Sequence, residues 1–168
     1  MKRACIAIVD AAHARLYTYD DRDPDPTHQL REVKDLVNPG RRLRPSEMFS
    51  ETRPSMGQAP GRNTSGEPGS AKDDHRDDHI EMMDQKFAKE IIGEINQIIT
   101  TERYGHLIVV ASPKMLGELR KANGVLDRPG VTIDEIARDL TKLTSSQLHD
   151  HLAQLNLIPP RERLTVAR

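Results

Sequence analysis

The spacing of apolar side chains changes along the chain, and each change marks an element. Cys5 to Val9 (CIAIV) is a short, continuous apolar run rich in β-branched residues, which predicts a buried strand. Asp10-Ala-Ala-His-Ala then reads as a turn over residues 10–14, with Asp10 as turn former and His13 exposed. In Arg15 to Tyr19, Leu16 and Thr18 alternate with Tyr17 and Tyr19, completing a β-hairpin. After the polar, Pro-containing stretch from Asp20, Gln29 to Val37 (QLREVKDLV) alternates roughly and predicts a third antiparallel strand. Asn38-Pro39-Gly40 reads as a turn.

The period then shifts to that of a helix. Ile80, Met83, Phe87, Ile91, Ile95, Ile98 and Ile99 recur at steps of three and four, so His79 to Glu102 is the clearest helix. Its length of ~24 residues gives ~35 Å, enough to cross a sheet face. Asp73, Asp74, Asp77 and Asp78 precede or open it, where the macrodipole favours anions, and Asp77 or Asp78 is the expected cap. Gly93 reads as a weak spot or a point of close packing. His106 to Ala111 (HLIVVA) predicts a central strand covered on both faces. Pro113 opens a helix with Met115, Leu116 and Leu119 inward, which stops at Asn123-Gly124. Val131 to Ile136 alternates as a strand with one wet face. Thr144-Ser-Ser-Gln147 fits a capping box and opens a last helix with Leu148, Leu152 and Leu155 inward. Arg161 to Arg168 reads as a frayed or partner-docked tail. The sum is an α/β fold: a mixed sheet of about five strands with helices packed on it.

One stretch fits no element. Ser50 to Asp78 holds four Gly and three Pro, with almost no large apolar side chain and clustered charge. Such a composition buries too little apolar surface to order itself, and a long insertion of this kind is usually functional or disordered. The expected organisation is one domain, 1–168, with a long flexible loop at 40–78.

Composition narrows the function classes. The formal net charge of −1 leaves no global basic footprint for nucleic acid. Three Tyr, two Phe and no Trp exclude large stacking platforms for single-stranded bases. Cys5 is the one cysteine, which excludes an internal disulfide and a cysteine metal cage; its place in a strand marks it as a small buried residue. No apolar run approaches the ~18 residues of a membrane span. The basic start MKRACIAIVD meets Asp10 too soon for a signal peptide, so the expected location is the cytoplasm.

Four segments together, CIAIVDAAHARLYTYD, DDHRDDHIEMMDQKFAKEI, HLIVVASPKMLGELR and EIARDLTKLTSSQLHDHL, resemble the bacterial host attachment protein family. That family is in turn similar to the middle domain of eukaryotic and archaeal class-1 peptide release factors. The resemblance implies a ribonuclease H-like sheet. It also implies a loop, between the third strand and the long helix, that carries Gly-Gly-Gln to the ester of peptidyl-tRNA in the ribosome. Gly57 and Gln58 match the last two positions of that tripeptide, and Met56 stands where the first glycine would be. On this reading Gly57 and Gln58 are catalytic candidates, a backbone amide stabilising an oxyanion while glutamine positions water. The plainer reading makes them two residues of a loop.

Other constellations read as follows. Arg41, Arg42, Arg44, Arg53 and Arg62 form a basic edge that could meet RNA phosphate or a protein partner, or simply be solvated. His75 and His79, four apart, share one helix face and could hold zinc or nickel with Asp74 or Asp78; a solvated helix start is the commoner meaning. His149-Asp150-His151 point in different directions on one helix. Asp10 and Asp139 lie at strand ends, as nuclease carboxylates do, but no acidic partner on the long helix is evident. No nucleotide-binding glycine motif or nucleophile elbow occurs, and no cofactor is implied. The expected function is therefore a cytoplasmic, ribosome- or tRNA-associated interaction module, with peptidyl-tRNA ester hydrolysis at Gly57-Gln58 as the alternative.

Overall fold

A computed structural model of the chain describes residues 3–23, 30–42, 71–122 and 129–161; of Arg42 and residues 71–76 it describes the backbone alone. The strands are β1 (Arg3–Val9), β2 (His13–Asp20), β3 (Arg31–Val37), β4 (His106–Ala111) and β5 (Thr132–Ala137). The helices are α1 (Pro39–Arg42), α2 (Ala71–Glu102), α3 (Pro113–Lys121) and α4 (Ser145–Gln154). One five-stranded sheet runs in the order β3-β2-β1-β4-β5. The first three strands are antiparallel neighbours, whereas β4 lies parallel to β1 and β5 parallel to β4.

The centre of the sheet explains its sequence. β1 and β4 are flanked on both sides and covered on both faces, so their apolar runs are continuous and buried. Cys5, Ala7, Val9, Leu107 and Val109 face α2 and α3, where Phe87, Ile91, Ile95, Met115 and Leu119 close over them. Ile6, Ile8, Ile108 and Val110 face the other way, onto Tyr17, Tyr19 and the α4 residues Leu148 and Leu152. Three layers result, with the sheet in the middle. Burial pushes the Cys5 thiol up to about 12, which suits an inert core residue.

The long helix begins earlier than its apolar stripe. α2 has 32 residues, roughly 48 Å, and its first two turns carry the acidic run rather than core side chains. Asp77 and Asp78 therefore sit inside the helix and are exposed, not at its cap. Asn38-Pro39-Gly40 leads straight into α1, so the long connection shrinks to residues 43–70, outside the described residues. Gly40 faces α2 closely: a Cβ there would come within 2.8 Å of Met83 Cγ. Gly93, by contrast, meets nothing within 4 Å, which makes it a weak spot and not a packing point.

The other expected signals hold with small shifts of boundary, except that Leu155, at the C-cap of α4, is 37% exposed and not turned inward, and His13, the first residue of β2, is half-buried and not exposed. Ser112 caps α3, with Pro113 in the first turn. Thr144 and Gln147 form the reciprocal capping box of α4. Arg161 is tied to Asp150, Nη2 to Oδ2 2.5 Å, so the chain is docked at least that far. On the edge strand β3, the register with β2 slips between Leu16 and Tyr17, leaving Val33 unpaired and 43% exposed.

Arg15 ties β2 to the connection after β5. Its guanidinium donates to the Thr141 and Leu143 carbonyls at 3.3 and 2.9 Å and pairs with Glu32, Nη2 to Oε2 2.7 Å. The hydrogen bond from Arg15 holds the Glu32 carboxyl below its usual 4.5, against the opposing effect of burial. A carboxyl with a depressed folded value stabilises fully above its unfolded value and stops doing so as pH falls through the folded one. Glu32→Gln should therefore lower stability by a few tenths to about 1 kcal/mol near neutral pH. The gap between the urea midpoints of parent and variant should close as pH drops below 4.5.

Candidate functional site

Because β3 runs parallel to β1, the C-terminal ends of β1, β3, β4 and β5 share one edge of the sheet. In open α/β sheets this is the edge where functional groups collect. Here it gathers Asp10, Asn38, Arg41, Lys114, Asp139 and Thr141, together with Asp84 of α2.

Asp84 is the centre of this edge. Its residue is 0% exposed although it carries a carboxylate. Burial of an unpaired charge is prohibitive, so the carboxylate needs partners inside the fold. Arg41 grips it in two places, Nε to Oδ1 at 3.0 Å and Nη2 to Oδ2 at 2.6 Å. That is the fork geometry in which arginine binds carboxylates best. Lys114 Nζ adds a second cation 3.1 Å from Oδ2. Asn38 Nδ2 lies 3.5 Å from Oδ1 and donates to the Ala11 carbonyl at 2.9 Å. Asn38 Oδ1 in turn accepts from the Gly40 amide at 3.2 Å, shaping the entry to α1. With both oxygens engaged by cations, Asp84 is placed as a clamp and not as a general base.

A second group lies beside the β1–β2 turn. Asp10 Oδ1 accepts from the amides of Ala12 and His13, both at 2.6 Å, as a turn former should. Its Oδ2 lies 2.9 Å from the Thr141 hydroxyl, which is also 2.7 Å from Asp139 Oδ1. The hydroxyl and amide of Thr141 hold the Asp139 carboxyl below its ordinary value. These carboxylates close loops onto one another.

Of the residues singled out in the sequence, Arg41 is turned inward to Asp84, its side chain 29% exposed. The Arg42 side chain and residues Arg44, Arg53, Gly57, Gln58 and Arg62 lie outside the described residues. His75 and His79 both fall within α2; His79 is half-buried and the His75 side chain is outside the description. Among the described residues, no group of three or more His, Cys, Asp or Glu is placed to hold a metal. His149 is buried, with Nε2 2.9 Å from the Pro159 carbonyl, while His151 faces Arg138 and Asp150 faces Arg161. No described helix is long and apolar enough to cross a membrane.

Asp84 escaped the sequence reading, which found no acidic partner on the long helix. It stands four residues after Ile80 and three before Phe87, on the apolar stripe itself. A carboxylate at a core position of an amphipathic helix is the signal that reveals it.

The family model described as "Protein required for attachment to host cells" matches residues 5–152 of the chain. No curated protein matches it.

Removing Arg41 leaves a buried carboxylate held by Lys114 and Asn38 alone. Arg41→Ala should cost about 1–3 kcal/mol. A double-mutant cycle of Arg41→Ala with Asp84→Asn, read by urea unfolding, should return a coupling of about 1–3 kcal/mol. A coupling near zero would show that the clamp contributes nothing to stability.

Proposed function

The chain belongs to the family of proteins required for attachment to host cells, and from that premise we propose that it is an interaction module whose working part is the connection between β3 and α2. The observation that carries this reading is the Asp84 clamp. A fully buried carboxylate, two cations and an asparagine are committed to holding Asn38 to Arg41, the last residues before 43–70. Charge committed in this way, around one buried carboxylate, fixes the backbone at the residues from which the connection starts. The connection itself is rich in Gly and Pro, poor in large apolar side chains, and carries Arg44, Arg53 and Arg62.

The partner we propose is the ribosome or its tRNA, in keeping with a ribonuclease H-like assignment and likeness to the release-factor middle domain. Three antiparallel strands followed by two parallel ones, with the long helix between, support that assignment. Phosphate contacts by arginines make association salt-dependent. The chain should sediment with ribosomes at low salt and be released as salt rises, and Arg44→Glu with Arg53→Glu should weaken the association by tenfold or more. Failure to sediment at low salt would remove the reading.

A second reading assigns chemistry to Gly57 and Gln58, motivated by their match to the release-factor tripeptide in the connection after the third strand. Ribosomes stalled with peptidyl-tRNA should then release peptide when the chain is added, and Gln58→Ala should abolish release. Equal release by both forms, or by neither, excludes it.

A further inference from the structure

The two described non-glycine residues with positive φ are Arg103, at 56°, and Asn156, at 57°. Each lies just past the end of a helix, α2 and α4, where glycine is the usual occupant. Asparagine tolerates this left-handed conformation, but a long side chain such as that of Arg103 is strained in it. Both residues line the same cleft of about 590 Å³, at the edge where β1, β4 and β5 begin, opposite the Asp84 clamp. Arg3 and His106 line it too. A strained arginine on the wall of a concavity points to a site.

The charges of the cleft separate structural from unexplained. Arg3 is held on three sides: Nε donates to Asp20 at 2.6 Å, Nη1 to the Glu102 carbonyl at 3.2 Å, and the guanidinium lies 4.8 Å over the Tyr104 ring. It neutralises the carbonyl end of α2 and is fixed in place while doing so. His106 Nε2 is 2.7 Å from Asp134 Oδ2, which sets its ring. Asp20 thus answers Arg3, and Asp134 answers His106. The Arg103 guanidinium makes no hydrogen bond or ion pair with another described residue. A glycine at its position would end the helix with less strain, and support of the helix end is already supplied by Arg3.

We propose that this cleft binds the phosphate of a small phosphorylated molecule of nucleotide size, with Arg103 and the pre-set Arg3 as its guanidinium ligands. Guanidinium is the side-chain group best matched to phosphate oxygens. The volume falls in the range of small-molecule sites. Tyr104 is buried beneath Arg3 and offers no open face to a base, so recognition runs through the phosphate. A polynucleotide would present the same group along an extended track rather than in a concave cleft. The inference is independent of ribosome association.

Calorimetric titration of the full chain with AMP, inorganic pyrophosphate and a short single-stranded RNA tests it. Saturable binding of AMP or pyrophosphate is expected. In Arg103→Gly the affinity should fall tenfold or more while the melting temperature matches or exceeds that of the parent, because glycine relieves the backbone. Arg103→Lys should keep part of the affinity. Arg120→Ala, which removes an exposed guanidinium outside the cleft, should bind as the parent does. The proposal is overturned if neither small anion binds, if Arg103→Gly binds as the parent does, if Arg120→Ala loses as much, or if RNA alone binds.

Discussion

A carboxylate with no access to water must find positive charge inside the protein or give up its own. Asp84 meets that demand by drawing in Arg41 from α1, Lys114 from α3 and Asn38 from the end of β3. Three separate elements are thereby registered on the long helix at one point. Shape reinforces charge there, since Gly40 leaves room for nothing larger than hydrogen against Met83. The short helix α1 is far below the length at which a helix is stable alone. It exists because this contact holds it.

The sheet supplies the frame for that point. Its two central strands are covered on both faces, so α2 cannot slide or rotate without exposing Phe87, Ile91 and Ile95. The position of Asp84 relative to Asn38 therefore follows from packing a full turn and more away. The opposite edge of the sheet is organised by a different rule. There Arg3 meets the Glu102 carbonyl at the end of α2, and Arg103 takes a left-handed backbone conformation. One edge is closed around a buried carboxylate, whereas the other leaves a cleft lined by Arg3 and Arg103.

Much of the fold was legible because it rests on periodicity. The buried strands at Cys5 and His106, the stripe from Ile80 to Ile99 and the capping box at Thr144 are local patterns with one reading each. The start of α2 was not legible, because the sequence of its first two turns carries no apolar stripe; acidic residues at the positive end of the dipole suffice there. Asp84 was hidden for the opposite reason. One charge among seven apolar positions does not disturb the period, and its partners lie 43 and 46 residues away in sequence for Arg41 and Asn38. Arg103 was invisible, since left-handed backbone at a helix end leaves no trace when the residue is neither glycine nor asparagine.

The slipped register at Val33 has a consequence for the molecule among its own copies. An outer strand offers unpaired amides and carbonyls to any passing chain, and regular ones invite stacking into fibrils. β3 is irregular at its middle and presents Arg31, Glu32, Lys34 and Asp35 in close succession. A second sheet laid against it would find the ladder out of step and alternating ions in the way. The kink thus disfavours the addition of a further strand at this edge.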